Sequence, residues 1–230
     1  MTQPQKRTQR RDTSLTTERI ITAALRISDA DPNLDRLTVR RLAAELNVGT
    51  MTLYSYFRSK EDILDAMADH VLGRMQLPPE PDSGPAEALR TVGHAFLSVM
   101  RDHPSVVRLF ASRITDSRTA LRGAMEAVLQ RLVNSGIPGP QAVQCYGFLI
   151  TYAIGFASYQ TPRPWGRLTN DEGMEQLRQR SHFYAGLPIE EFPQVVGLAD
   201  EVAELPYDST FDAGLEAYID ATVRALRSQS

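Results

Sequence analysis

The stretch LAAELNVGTMTLYSYFRSKEDIL, residues 42–64, contains the features from which the fold can be predicted. It places two Tyr, one Phe and a pair of Thr between two short segments whose apolar residues recur with helical spacing. No Asp or Glu occurs between positions 46 and 60. A chain of net charge −3 therefore concentrates aromatic and hydroxyl side chains on one turn and one helix.

Two helices and a turn are predicted from the start of this stretch and the residues before it. Ile20, Ala24 and Ile27 recur at helical spacing after Thr16, which predicts a first helix with an N-cap. Thr38 is a good N-cap for a second, short helix, whose apolar face is formed by Val39, Leu42, Ala43 and Leu46. Residues 47–49 then interrupt the pattern, because Asn47 suits a left-handed C-cap and Gly49 relaxes the turn.

A third helix is predicted to begin near Thr50, and its surface divides into two faces. Leu53 and Phe57 lie four residues apart and are expected to face the first two helices. The other face carries hydroxyl, thioether and aromatic groups and no acid: Thr50, Met51, Thr52, Tyr54, Ser55 and Tyr56. Ser59 and Asp62 have the spacing of an N-cap pair at the start of a fourth helix.

Two short helices joined by a turn of about three residues are typical of a helix-turn-helix, whose second helix enters the DNA major groove. Short hydroxyls on that helix can bond base edges or phosphates, and Met51 can touch a thymine methyl group. An acidic side chain, which would repel phosphate, is missing from this face. The spacing alone is also compatible with a plain three-helix packing unit that has a small polar face.

The segment LTVRRLAAELNVGTMTLYSYFRSKEDIL, residues 37–64, resembles the DNA-binding signature of the TetR (tetracycline-repressor) family of bacterial transcriptional regulators. The resemblance extends over residues 15–72 and implies three DNA-binding helices followed by a larger helical domain that dimerises and binds a small molecule. It implies a base or phosphate contact for Arg40 and a phosphate contact for Lys60. It also implies recognition-helix contacts from Thr50, Met51, Thr52, Tyr54 and Tyr56. Ser55, on the same face, is also a predicted DNA-binding residue.

Composition and charge limit the class of protein. Hydrophobic residues make up 42 % of the 230 residues, which is enough for a substantial core, and the single Cys145 excludes a disulfide within the chain. No run of about 18 uncharged apolar residues and no secretion signal is visible, which predicts a cytoplasmic protein. Residues 1–60 carry 11 Lys and Arg against 6 Asp and Glu, so the positive charge is concentrated at the front of an acidic chain.

The chain is predicted to contain two domains joined by a proline-rich segment. Four prolines in QLPPEPDSGP, residues 76–85, exclude a continuous helix there. We therefore expect a basic flexible arm at residues 1–14, a helix-turn-helix domain at 15–75 and a helical effector-binding and dimerisation domain at 86–230. The arm carries cations suited to phosphate or minor-groove contacts, although a solvated arm without a partner is the alternative: Lys6, Arg7, Arg10 and Arg11.

Two late helices are predicted to join two subunits. TFDAGLEAYIDATVRALRS, residues 210–228, has one stripe of large apolar residues and a second stripe of alanines four residues apart: Ala213, Ala217, Ala221 and Ala225. One stripe can bury against its own domain and the other against a second subunit, unless the alanines only favour the helix. The family resemblance implies that residues 139–159 and 210–227 form a four-helix dimer interface.

A small-molecule site is expected in the larger domain. Its aromatic residues supply an apolar lining with phenol hydroxyls, and the predicted effector-binding residues are Phe110, Tyr152, Phe156, Tyr159 and Trp165. No cofactor, metal or catalytic residue is predicted, because the four histidines lack metal-ligand spacing and no nucleophile motif is present.

The sequence therefore predicts an all-α chain with a three-helix DNA-binding domain and a larger helical ligand-binding domain. The predicted function is a ligand-responsive transcriptional repressor that binds a palindromic operator in double-stranded DNA as a homodimer and is released by a small-molecule effector. Two copies are needed because one short helix makes few base contacts. The alternative is a small-molecule-binding helical protein, or an enzyme, without specific DNA binding.

Overall fold

A computed structural model describes residues 15–30, 34–79, 82–112, 117–161 and 171–228, and every regular element among them is a helix. The all-α prediction is confirmed. The predicted basic arm at residues 1–14 and the predicted effector residue Trp165 lie outside the described residues.

Thirteen α-helices are described within these ranges. The first four are α1 (Thr17–Ala30), α2 (Val39–Glu45), α3 (Thr50–Tyr54) and α4 (Lys60–Gly73), with a 3₁₀ turn at Leu34–Arg36 between α1 and α2. The next five are α5 (Pro85–Asp102), α6 (Pro104–Ser112), α7 (Arg118–Ala120), α8 (Ala127–Asn134) and α9 (Gly139–Gln160), with a π-helical segment at Leu121–Glu126 joining α7 to α8. The last four are α10 (Asp171–Ala185), α11 (Pro193–Gly197), α12 (Ala199–Ala203) and α13 (Asp208–Arg227).

The turn between α2 and α3 follows from its local sequence. The Thr38 hydroxyl accepts a hydrogen bond from the Arg41 backbone N–H at 3.1 Å, so the predicted N-cap of α2 is confirmed. Asn47 has a φ of 54°, the left-handed conformation that was predicted for it. The predicted role of Gly49 is wrong, because its backbone is extended at φ −74° and the turn makes no use of glycine's conformational freedom.

The third helix is shorter than its apolar spacing suggests. It ends at Tyr54, because Ser55 caps it and its backbone N–H bonds back to carbonyls within the last turn. Phe57 therefore lies beyond the helix, although its N–H still donates to the Leu53 carbonyl at 3.0 Å. Both side chains are buried, as expected, and they pack α3 against the first two helices.

The smaller hydrophobic core is formed by α1 to α4 together with one later helix. Ile20, Leu42 and Met67 are among its fully buried side chains. Val106 and Leu109 of α6 complete the same core. The helix-turn-helix unit is thus packed directly against the part of the chain that follows the proline-rich segment.

The larger core lies among α5, α8, α9 and α13. Phe96 and Phe211 are its largest fully buried side chains, and Leu132 and Leu149 pack with them. The buried residues of α9 and of α13 lie on one side of each helix. The opposite faces of these two helices are therefore on the surface of the single chain.

The proline-rich segment is held by side-chain hydrogen bonds. Asp82, at its end, accepts hydrogen bonds from Arg131 Nε at 2.6 Å and Nη2 at 2.7 Å, and from the Thr91 hydroxyl at 3.1 Å. Arg131 also donates to the Pro78 carbonyl at 2.6 Å. These bonds attach the segment between α4 and α5 to α8.

Residues 171–203 form a unit of three helices that the sequence pattern did not predict. α10 packs against α12 and α11. Only Gly173, Ala199 and Ala203 are buried within these helices. Several large apolar side chains are exposed on the unit: Met174, Phe183, Ile189, Phe192 and Leu198.

Candidate nucleic-acid interface

The two faces of α3 have opposite environments. Leu53 is 1 % exposed, whereas Met51 is 79 % exposed and Tyr54 is 48 % exposed. Thr52, Ser55 and Tyr56 are also exposed, and Thr50 is half-buried. The side chains predicted to face outward therefore do so, while their contact with DNA stays a prediction.

Two of these hydroxyls already have partners within the protein. The Ser55 hydroxyl donates to the Thr52 carbonyl at 2.7 Å, which closes the last turn of α3. The Tyr56 hydroxyl donates to the Leu15 carbonyl at 2.8 Å and so ties the end of the recognition segment to the residues before α1. Each hydroxyl oxygen can still accept a bond, but a structural role for both residues is established.

The predicted cationic contacts flank the exposed face. Arg40 lies exposed in the first turn of α2. Lys60, at the start of α4, donates from Nζ to the Leu34 carbonyl at 3.0 Å. Since an ammonium group has three N–H donors, two of them stay available for a phosphate.

The Asp62 carboxylate, just after this region, caps the start of its own helix, α4. Asp62 accepts hydrogen bonds from the Ser59 hydroxyl at 2.8 Å and from the Arg58 backbone N–H at 2.9 Å. The Ser59 hydroxyl lowers the pKa of this carboxyl most, and the Arg58 N–H lowers it further. The carboxylate is thus part of the α4 cap, as the Ser59 and Asp62 spacing predicted.

Sequence reasoning missed two exposed guanidinium groups close to the predicted site residues in the chain. Arg41 follows Arg40 on α2, and Arg58 lies in the turn between α3 and α4. Arg58 lies in the stretch that lacks acidic residues, and Arg41 is next to the predicted contact Arg40; these positions were the signal for them. Arginine at such positions suits bidentate contacts with phosphate.

The predicted effector residues do not share one environment in the structure. The Tyr152 hydroxyl donates to the Phe211 carbonyl at 3.1 Å, and its ring stacks on the Phe211 ring with centroids 4.9 Å apart. Phe156 packs on the same ring at 5.2 Å. Phe110 packs between the two cores on α6, and Tyr159 is 49 % exposed. Among the predicted effector residues that the structure describes, Tyr152 and Phe156 are the two that contact the same neighbour, Phe211.

The described residues contain no group of three or more His, Cys, Asp or Glu side chains that could hold a metal ion. Within the same residues, no helix combines the length and the apolar character needed to cross a bilayer.

The fold and the site define a class of protein. A short helix with an exposed, acid-free face packs against two supporting helices, and a four-residue turn joins it to the second of them. A large helical core follows. This arrangement is that of a helix-turn-helix regulator.

Family models match most of the chain. The model described as "Bacterial regulatory proteins, tetR family" matches residues 20–67, and the model described as "Tetracyclin repressor-like, C-terminal domain" matches residues 77–222. The chain belongs to the TetR family of bacterial regulatory proteins, a family of DNA-binding regulators rather than enzymes.

Named relatives carry repressor descriptions. The HTH-type transcriptional repressor DrrR1 of Streptomyces coeruleorubidus is 35 % identical over 148 residues, which cover 64 % of this chain and 54 % of that protein. The HTH-type transcriptional repressor Rv1353c of Mycobacterium tuberculosis is 31 % identical over 159 residues, which cover 67 % of this chain and 60 % of that protein. The matched part thus spans little more than half of these relatives' own lengths.

Solved structures match nearly the whole chain. The TetR family protein ActR of Streptomyces coelicolor in complex with (S)-DNPA has a TM-score of 0.73 and 29 % identity, with 92 % of this chain and 98 % of that chain covered. ActR in complex with actinorhodin gives a TM-score of 0.73 and 29 % identity, with 93 % and 99 % covered. The observed helical architecture is therefore similar to that of ActR.

Proposed function

We propose that this chain is a transcriptional repressor that binds a palindromic DNA operator as a homodimer and is released by a small-molecule effector. The observation that carries this proposal is the exposed, acid-free face of α3, beside a buried Leu53 that fixes its orientation. The repressor names of the relatives support it. A cytoplasmic location follows from the same proposal, because the operator is genomic DNA.

The DNA contacts are assigned to the outward face of α3 and to its flanking cations. Thr50, Thr52 and Tyr54 offer hydroxyls to base edges or phosphates, and Met51 offers an apolar contact to a thymine methyl group. Ser55 and Tyr56 accept bonds while they hold the end of α3. Arg40 contacts a base or phosphate, and Lys60 contacts a phosphate with its remaining N–H groups.

The dimer is assigned to α9 and α13, whose exposed faces adjoin. Val143 and Phe148 on α9 are 57 % and 37 % exposed, and Phe148 stacks on Tyr218 of α13 with ring centroids 3.6 Å apart. The alanine stripe of α13 is exposed along its whole length: Ala213, Ala217, Ala221 and Ala225. A surface that joins apolar side chains to a smooth alanine stripe suits close helix packing against a second copy.

The effector is assigned to the larger core. The complexes of ActR with (S)-DNPA and actinorhodin support a small-molecule effector for this chain as well. Tyr152 and Phe156 are the best-supported contacts, since they adjoin on Phe211. Phe110, Tyr159 and Trp165 complete the predicted set.

The proposal is tested by selecting a binding sequence from a random duplex pool with the full chain. The dissociation constant for the selected duplex and for a scrambled duplex is then measured at several salt concentrations. We expect tighter binding to the selected duplex and a steep linear fall of log affinity with log salt concentration. Equal affinity for both duplexes, or no binding to either, would contradict the proposal and favour a helical protein without specific DNA binding.

A matched pair of variants assigns the specificity to α3. Met51→Ala should weaken binding to the selected duplex by about 1 kcal/mol or more through the loss of a base contact. Met174→Ala removes an exposed methionine on α10 and should leave binding unchanged. An equal effect of both substitutions would remove α3 from the interface.

A further inference from the structure

A cleft of about 500 Å³ lies where α1, α4 and the end of α5 meet. Its apolar lining consists of Leu25 and Val71, which are each 4 % exposed, and Val99, which packs against both hydrophobic cores. Two of these helices belong to the helix-turn-helix unit and the third belongs to the larger core. Small-molecule sites of about 300–1,000 Å³ occur preferentially at such boundaries.

One wall of the cleft offers an imidazole that no described residue hydrogen-bonds. His70, on α4, is half-buried and lines the cleft. Burial lowers the pKa of His70, and the positive charge of Arg74 lowers it further. The ring is therefore neutral near pH 7 and presents one N–H donor and one nitrogen acceptor to a ligand.

The opposite wall contains a carboxylate whose oxygens are already satisfied. Asp29 Oδ2 lies 2.9 Å from His103 Nδ1, and Asp29 Oδ1 accepts bonds from the Ser105 hydroxyl at 2.6 Å and the Ser105 N–H at 3.3 Å. The hydrogen bond to Asp29 raises the pKa of His103, so the pair carries little net charge when the imidazole is protonated. These bonds also fasten the end of α1 to the start of α6.

The rim of the cleft carries two cations that can change partners. Arg26 pairs with Glu45, and Arg74 pairs with Glu18; neither glutamate lines the cleft. Both side chains are more than half exposed, and exposed ion pairs of this kind contribute little to stability. A ligand carboxylate can therefore replace either glutamate. Asp102 is the opposing charge, an exposed carboxylate on the α5 side of the cleft.

We propose that this cleft is a second small-molecule site, which takes an apolar monocarboxylate with a flat ring or short chain. The carboxylate lies against the guanidinium groups of Arg26 and Arg74, and the apolar body covers Leu25, Val71 and Val99. His70 bonds a polar atom of the ligand. The site is distinct from the aromatic residues on α6 and α9, and a ligand in it bridges the helix-turn-helix unit and the larger core.

The experiment uses 2-naphthoate as the probe and titration calorimetry on the full chain without DNA, so its result is independent of operator binding. We expect one bound probe per subunit. His70→Leu keeps the apolar volume but removes the polar contact, and it should weaken binding about tenfold. Asp102→Asn removes a repulsive charge and should strengthen binding severalfold. 2-Naphthol, which lacks the carboxylate, should bind at least about tenfold more weakly.

Control variants distinguish this cleft from other sites. His94→Leu changes a histidine elsewhere on α5, which contacts Phe211 and Asp212, and should not alter probe binding. Arg74→Gln is an exposed change that should weaken binding without affecting the fold. The proposal is overturned if 2-naphthoate does not bind, if His70→Leu and Arg74→Gln both bind it as tightly as the unmodified chain, or if only Phe156→Ala weakens binding.

Discussion

At the scale of single residues, Leu53 and Met51 are two positions apart on α3 and have opposite environments. Leu53→Ala should destabilise the fold by about 2–5 kcal/mol, because it leaves a cavity between α3 and the first two helices. Met51→Ala should change the free energy of unfolding by no more than about 0.5 kcal/mol, since the side chain is exposed. Denaturant unfolding of both variants measures this difference. Similar stabilities would mean that the buried face of α3 is assigned incorrectly.

Arg40 tests whether α2 contributes to sequence reading. Arg40→Ala should cost about 1–3 kcal/mol in binding to the selected duplex if the side chain contacts a base. Thermal unfolding should be nearly unchanged, because the side chain is exposed. The affinity for a scrambled duplex serves as the control. An equal loss on both duplexes would reassign Arg40 to a phosphate.

The contact between His103 and Asp29 should make stability depend on pH. Asp29 raises the pKa of His103 above its ordinary 6.5, so this stabilisation is fully present below pH 6.5 and is lost as the pH rises through the raised pKa. Asp102 acts in the same direction, whereas the lowered pKa of His70 favours stability at higher pH. The difference in unfolding free energy between the unmodified chain and Asp29→Asn should therefore be larger at pH 5.5 than at 8.5. A difference that is constant with pH would contradict this account.

Residue roles that depend on near neighbours were predictable from the sequence, and roles that depend on distant ones were not. The Thr38 cap, the left-handed Asn47 and the Ser59–Asp62 pair each involve groups within four positions. By contrast, the Tyr56 hydroxyl bonds a carbonyl 41 positions away, and Lys60 bonds one 26 positions away. No local spacing rule predicts such pairs, because they depend on how the helices pack.

At the scale of helices, α4 and the π-helical segment approach each other closely at two glycines. A Cβ added to Gly123 would lie 2.5 Å from the Gly73 backbone, so this crossing has no room for a side chain at position 123. Gly123→Ala should force α4 away from this segment and destabilise the protein by about 1–3 kcal/mol. Gly197→Ala is the control, since a Cβ there meets nothing within 4 Å. Thermal unfolding compares the two, and equal melting temperatures would show that the helices separate without cost.

The predictability of a helix followed the strength of its apolar pattern. Residues 210–227 bury a regular stripe of large apolar residues, and they were predicted as a helix close to the observed bounds of α13. α10 to α12 bury only three small residues, so their sequences lack the periodicity on which the prediction depends. The π-helical segment was also missed, because its irregular hydrogen bonding has no spacing signature.

At the scale of the whole molecule, the proposed dimer makes a prediction about α13. Ala217→Glu places a charge in the middle of the exposed alanine stripe and should convert the dimer into folded monomers. Ala111→Glu, on an exposed position of α6, should leave the dimer intact. Sedimentation velocity measures the mass, and circular dichroism verifies the helical content. A dimer that survives Ala217→Glu would remove this stripe from the interface.

The cleft between α1, α4 and α5 forms only when the chain folds and these three helices pack together. Its lining residues are drawn from sequence positions 22 to 103, and neither their order nor their spacing marks them as neighbours. The aromatic effector residues were chosen by composition, and Tyr152 and Phe156 adjoin because both lie on α9 and face Phe211. Composition therefore indicated which residues could bind a ligand, while packing decides which of them lie together.

In the proposed complex, two copies of the outward face of α3 contact one operator. Hydroxyl-radical footprinting of the selected duplex compares the unmodified chain with the triple variant Thr50→Ala, Thr52→Ala, Tyr54→Ala. The unmodified chain should protect two half-sites whose centres lie about one helical turn or somewhat more apart, and the variant should give no defined footprint while it stays folded. An unchanged footprint from the variant would contradict the claim.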